Sequence, residues 1–216
     1  MKRLKSEDGI ALVMVLVLAA ISLAIMAALV FMLTASTEIS GIQKRYKTAT
    51  DAGKGGADVF YQVIARRGNA TDTTNFLSQI YPLDTTKYGV NTPATCTGTN
   101  SAGVAMTGLA AKLNTPSSSW SGCDNSVVID PVTGTSYDMF IDLPSGTGTY
   151  RVYAKIVDTL EGNSSGDTGL IKSGVVNANA GEVPAMNKPY VYTIEVDAEN
   201  PNNPMERAKY SILYLY

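Results

Sequence analysis

The stretch that decides the fold is KSEDGIALVMVLVLAAISLAIMAALVFML, residues 5–33. A short charged leader ends at Gly9, and the 24 residues from Ile10 to Leu33 carry no charge, no proline and no glycine. A secretory signal has a basic start, an apolar core of about 7–15 residues and a small-residue cleavage site. This run is too long for that core, no Ala-x-Ala occurs in or just after it, and the leader turns acidic at Glu7 and Asp8. A transmembrane helix needs about 20 apolar residues, and Ile10 to Leu33 would span about 36 Å. Lys2, Arg3 and Lys5 precede the run, while Lys44, Arg45 and Lys47 follow it. The positive-inside rule therefore only leans towards a cytoplasmic N-terminus.

The helical pattern continues beyond the apolar run. No proline occurs from Thr34 to Arg67, and Ile39, Ile42, Tyr46, Ala49, Gly53, Gly56, Phe60 and Val63 recur in steps of three and four. That spacing places them on one helical face. Lys44, Lys47, Thr48, Asp51, Lys54 and Asp58 fall largely on the other. Asp51 to Ala57, DAGKGGA, is the weak point, because each glycine costs a helix roughly 1 kcal/mol relative to alanine. These glycines either break the helix or admit another backbone at close range. Arg66-Arg67-Gly68 makes a suitable end, with cations in the last turn and a glycine after it. A helix over 10–67 would be about 87 Å long.

Residues 68–125 are rich in Gly, Ser, Thr and Asn, with short helices expected at 75–81 and within 104–113. Cys96 and Cys123 are the two cysteines of the chain. An even count in a chain whose N-terminus implies export reads as one disulfide, worth roughly 3–4 kcal/mol in the chain-entropy model. The competing reading is two free thiols in a cytosolic protein. Trp120 is expected to pack on the bridge, with a surface-binding role as the alternative.

After residue 125 the period changes to two. Ser126 to Asp130 reads as a short strand. In the runs that follow, Tyr137, Met139, Ile141 and Leu143 share a face, as do Tyr150, Val152, Ala154 and Ile156. So do Tyr190, Tyr192, Ile194 and Val196, and then Tyr210, Ile212, Tyr214 and Tyr216. These are half-buried antiparallel strands. Residues 198–204, AENPNNP, should join the last two as a hairpin with a wide loop. A sheet with one apolar face needs a cover, and the stripe over 39–63 is the candidate. The expected class is α+β: a long N-terminal spine helix packed on a C-terminal antiparallel sheet.

Composition narrows the function. The chain has no histidine, which removes the commonest general base and zinc ligand. No substitute catalytic constellation is present, so the chain is expected not to be an enzyme and to need no cofactor or metal. A net charge of −2 gives no bulk attraction to nucleic acid. Lys44, Arg45, Lys47, Lys54, Arg66 and Arg67 read as a solvated helix face, with a basic binding strip as the alternative. Asp158, Glu161, Asn163 and Asp167 do not match the EF-hand spacing and read as a polar turn, with calcium as the alternative. The alternating C-terminal tyrosines read as sheet core rather than a binding platform.

A leader ending in Gly9, followed by Ile10-Ala11-Leu12-Val13, a long apolar helix and a C-terminal sheet, resembles a type IV prepilin, and within that family the PilX group of minor pilins. Thr50-Asp51-Ala52-Gly53 is loosely similar to an Ala-Glu-Ala-Gly segment of that group, and Ser211 to Tyr216 to its tyrosine-containing final strand. The N-terminal likeness covers about 60 residues; the C-terminal likeness is one of pattern. The resemblance implies a leader over 1–9, a spine helix over 10–67, with 10–33 in the membrane or filament core and 34–67 amphipathic, and a globular domain over 68–216. It implies that prepilin peptidase cuts between Gly9 and Ile10 and N-methylates Ile10. The implied partners are other minor pilins, the major pilin, the assembly platform of the inner membrane and a tip adhesin. The implied location is the inner membrane before assembly and the pilus filament after it. The chain departs from most pilins at the fifth mature position, where Met14 replaces a glutamate, and at Phe31, where a kinking proline is common. The PilX group commonly lacks that glutamate, as does the GspK-type tip pseudopilin of type II secretion. The last reading left open is a bitopic membrane protein with a periplasmic β-rich binding domain.

Overall fold

The computed structural model of the chain describes residues 6–66, 84–145, 148–162 and 189–216. It is α+β, with one long N-terminal helix and an antiparallel sheet. Two compact units are present, Met1–Lys47 and Thr48–Tyr216. Helix α1 covers Ser6–Ala65, so the glycines of 51–57 do not break it.

In the first unit the sequence is helix in one register throughout. Three of its hydroxyls bond inside the helix: Ser22 donates to the Leu18 carbonyl, Thr34 to that of Phe31 and Thr37 to that of Thr34, at 2.8–2.9 Å. This bonding lets polar side chains sit in an apolar run without an unmet donor. Ile39, Ile42 and Tyr46, expected to cover the sheet, are instead 57–64% exposed.

The second unit is built on a five-stranded sheet. Its strands are β1 (Tyr88–Val90), β4 (Met139–Ser145), β5 (Gly148–Leu160), β6 (Val191–Asn200) and β7 (Asn203–Leu215), in the order β1-β4-β5-β6-β7, all antiparallel. A separate hairpin pairs β2 (Thr97–Thr99) with β3 (Ala105–Thr107) and leads into helix α2 (Gly108–Asn114). The segment read as one short helix over 104–113 is therefore a strand and then a helix. The expected helix over 75–81 lies outside the described residues, as do Arg67 and Gly68. Helix α1 closes at Ala65, where the Arg66 amide donates to the Val63 carbonyl.

The period-two faces meet as expected on the inner side of the sheet. Met139, Ile141, Val152, Ala154, Ile156, Tyr192, Ile194 and Val196 form one core with Phe60, Val63 and Ile64 of α1 and Leu109 and Leu113 of α2. A row of stacked tyrosines, Tyr190–Tyr192–Tyr214–Tyr61, runs through it with ring centroids 4.8–6.3 Å apart. Ala49 packs in a neighbouring cluster with Tyr150 and Ala208.

The glycines of α1 explain how close this packing is. A Cβ on Gly53 would stand 2.5 Å from the Tyr210 ring, and one on Gly56 would stand 2.5 Å from Cγ1 and 2.8 Å from Cβ of Val152. The Tyr210 hydroxyl then donates to the Thr50 carbonyl at 2.9 Å. The helix thus accepts poor propensity at two positions and gains contact with the sheet that no larger residue permits.

Three expectations are corrected. Residues 126–130 are not a strand: Val127 and Val128 are exposed, and the Val128 carbonyl accepts from a lysine described below. Tyr137 does not share the face of Met139. It precedes the strand and packs with Ile129, Tyr153 and Phe140 in a separate cluster. The β6–β7 hairpin is tight, with Pro201 and Asn202 alone between the strands. The Asn202 amide donates to the Asn200 side chain, and Glu206 accepts from both Asn200 and Asn203.

Two alanine substitutions should act in opposite directions. Gly56→Ala meets a β-branched neighbour that cannot rotate away, and should destabilise the chain by about 1–3 kcal/mol. At Gly41 a Cβ meets nothing within 4 Å, so Gly41→Ala should stabilise it by up to about 1 kcal/mol. Thermal unfolding of the full chain in detergent checks both.

Candidate functional site

Two places combine distinctive chemistry with defined geometry: the start of α1, and the disulfide-tied region over the sheet. Each is described within its own unit.

Gly9 lies within α1, and a Cβ there would meet nothing within 4 Å. Ile10, the residue after it, is exposed. The large apolar side chains from Ile10 to Leu33, Met14 and Phe31 among them, are 51–73% exposed. Burying one Val, Leu or Ile side chain is worth about 1.5–3 kcal/mol, so a run of this size gains from being covered. By length and composition the helix qualifies as a membrane span. Of the basic residues noted in the sequence, Lys44, Arg45, Lys47, Lys54 and Arg66 stand at exposed positions along and just after α1; Arg67 lies outside the described residues.

Cys96 and Cys123 are joined, closing a sequence separation of 27 residues. The bridge encloses the β2–β3 hairpin, α2 and Trp120. Trp120 does not rely on the bridge for its polar partner: its Nε1 donates to the hydroxyl and the carbonyl of Thr115, at 3.1 and 3.2 Å, and the Lys112 ammonium lies 5.6 Å from its ring centre. Gly98 makes room for it, since a Cβ there would collide with the Thr115 hydroxyl and approach the indole.

Lys112 and Lys155 are 1% and 0% exposed, which sequence reading did not anticipate. An ammonium has three donors, and each of these finds three acceptors. Lys112 donates to the Asp124 carbonyl at 2.6 Å, to Asp138 Oδ2 at 2.9 Å and to the Ile156 carbonyl at 3.0 Å. Lys155 donates to Ser126 Oγ and the Val128 carbonyl, both at 2.9 Å, and pairs with Asp124 Oδ2 at 2.5 Å. Asp124, next to Cys123, thus joins both lysines. Asp138 also accepts from the Ile156 amide and the Thr92 hydroxyl. Burial nevertheless pushes the Asp138 carboxyl above its ordinary value, against the pull of Lys112. At Asp124 burial acts upwards too, but the Lys155 and Ser126 hydrogen bonds outweigh it and hold that carboxyl low. The available signal was Lys155 itself, set between Ala154 and Ile156 in a strand with Tyr153 and Val157 on its other face: a strand apolar on both sides is covered on both sides.

Of the acids read as a polar turn, Asp158 lies within β5 instead, and the two described ones do not meet. Asp158 accepts from the Ser117 hydroxyl, whereas Glu161 accepts from the amide and hydroxyl of Ser101. Asn163 and Asp167 lie outside the described residues. No group of three metal-ligating side chains occurs among the described residues. The chain matches no family model, no curated protein and no solved structure.

The lysine network gives a charge-reversible test. Lys112→Met leaves Asp138 buried without its counter-ion and should cost about 3–5 kcal/mol, while Lys112→Met with Asp138→Leu should recover most of that loss. Asp124 has a depressed pKa, so its contribution is present above the ordinary value of 3.8 and fades as pH falls through the lower folded value. Asp124→Asn should therefore lower urea resistance at pH 7, with the gap from the parent chain closing below about pH 4. Removing the bridge with Cys96→Ala and Cys123→Ala together should cost about 3.5 kcal/mol.

Proposed function

We propose that the chain is a minor pilin of a type IV pilus, of the PilX type, and that it promotes filament assembly at or near the tip. The observation that carries this reading is α1. It runs through Gly9-Ile10, presents an uninterrupted apolar surface from there through Leu33, and ends as a glycine-bearing face packed on an antiparallel sheet. A helix that served only as an anchor would not need to continue into the core of the second unit.

On this reading prepilin peptidase cuts between Gly9 and Ile10 and methylates the new amine of Ile10. The small Gly9, with open space at its Cβ position, suits a cut at the mouth of a membrane enzyme. The apolar run first holds the protein in the inner membrane and then packs among the helices of the major pilin and other minor pilins. Met14 supports a terminal place. A carboxylate in lipid is costly unless paired, and a subunit with none above it has no neighbouring amine to neutralise. The assembly platform and a tip adhesin are the further partners. A GspK-like tip pseudopilin of type II secretion is an alternative, since Met14 fits it as well. A bitopic membrane protein is the remaining alternative.

Mass spectrometry of protein from native membranes or sheared filaments tests the reading. A mature chain starting at N-methylated Ile10 is expected. An intact Met1 leader would point to the bitopic protein, and a cut beyond residue 30 to an ordinary exported domain. Labelled protein should sit at filament ends; even labelling along sheared pili would remove the tip assignment.

A further inference from the structure

The two edges of the sheet are finished differently. On one side β4 is capped by β1 through Tyr88↔Ile141, Gly89↔Phe140 and Val90↔Met139, and the Asn91 amide then donates to the Asp138 carbonyl. On the other side β7 is the outermost strand along its 13 residues, and no described segment pairs with its outer edge.

The register shows which backbone groups stand free. Tyr190 and Tyr216 exchange both hydrogen bonds, and Tyr192↔Tyr214, Ile194↔Ile212 and Val196↔Tyr210 continue the ladder. In an antiparallel pair the bonded positions alternate. The even-numbered residues of β7 therefore bond to β6, and the N–H and C=O groups of Lys209, Ser211, Leu213 and Leu215 point away from the sheet. Proteins protect such an edge with proline, charge, a bulge or a cover. Pro204 and Lys209 do so near the start of the strand, but Tyr210 to Leu215 holds no proline, charge or bulge and has no cover among the described residues, and Leu213 and Leu215 are 65% and 58% exposed.

We infer that this edge pairs with β7 of a second copy of the chain, antiparallel about a two-fold axis through Ile212, to make one continuous ten-stranded sheet. The choice of occupant comes from the strand's own pattern. Symmetry about Ile212 places Tyr210 opposite Tyr214, Ser211 opposite Leu213 and Lys209 opposite Leu215 of the other copy. Aromatic and β-branched residues then meet on one face. On the other, the lysine stem lies along a leucine while its ammonium stays with Asp197 of its own chain. The positive end of each strand meets the neutral end of the other. A parallel in-register pairing would instead set Arg207 and Lys209 beside their own copies. All four free backbone pairs of the edge are satisfied in the antiparallel register. The inference is independent of the pilin reading, since any protein carrying this domain would present the same edge.

The test uses the full chain in detergent micelles. Sedimentation should show a dimer that Leu213→Lys converts to monomer while the variant keeps the circular dichroism spectrum of the parent chain, because Leu213 is exposed. Register is read by mixing the separately purified Ser211→Cys and Leu213→Cys variants under oxidation. The mixture should form a cross-linked dimer, since those positions stand opposite one another. Neither variant alone should, since like positions are offset by two residues, beyond the span of a relaxed disulfide. A monomer at all concentrations would overturn the inference, as would a dimer that survives Leu213→Lys and is thus held by the apolar helix. Cross-linking of a single variant alone as efficiently as the mixture would overturn the register.

Discussion

The fold of the second unit depends on two missing side chains. At Gly53 and Gly56 the helix surface is bare backbone, and Tyr210 and Val152 occupy the space that a Cβ would take. Because these residues belong to β7 and β5, the helix is seated against strands on both sides of β6. The tyrosine row, the Tyr210–Thr50 hydrogen bond and the burial of Phe60 and Val63 follow from that seating. Interiors are packed as densely as organic crystals, so adding even one methyl group here displaces a helix rather than a side chain.

The other side of the sheet is organised by charge. Lys155 emerges opposite the Ala154–Ile156 face and is buried by the loop that binds it. Lys112 reaches the same loop from α2. Buried ion pairs are poor sources of net stability, but they fix geometry, because an ammonium without its third acceptor is costly. Two lysines sharing Asp124 therefore specify where the chain after Cys123 must lie. The outer face further along carries a second set, with Arg151 on Asp142 and Arg207 on Asp197. Charge thus covers a surface that short loops alone would leave open.

Much of the helix and sheet was legible because periodicity reports burial directly. The inner-face residues of β4 to β7 were readable from alternation, and the α1 stripe was readable from Ala49 onwards. The reading failed where a pattern ran past its element. Tyr137 was assigned a strand face although the strand begins at Met139, and Ile39, Ile42 and Tyr46 continued a stripe beyond the part that packs. Val127, Val128 and Ile129 have strand propensity, yet the Val128 carbonyl is committed to Lys155. The glycines left two outcomes open, since the residues that decide between them lie about 100 and 160 positions away. The buried lysines were missed because three of their six acceptors are backbone carbonyls, which no sequence motif displays, and the other three are side chains brought in by folding.

The hydrogen bond between Tyr210 and Thr50 joins residues 160 positions apart. A ribosome adding about 5–20 residues per second needs roughly 10–30 seconds to cover that distance. For that interval the glycine face of the helix exists without the ring that fills it, and the core of the second unit has no finished wall. The apolar run of α1 emerges early and can enter a bilayer while the remainder is still being made. A nascent chain held there would have fewer encounters with other unfinished copies before the domain had acquired a structure of its own.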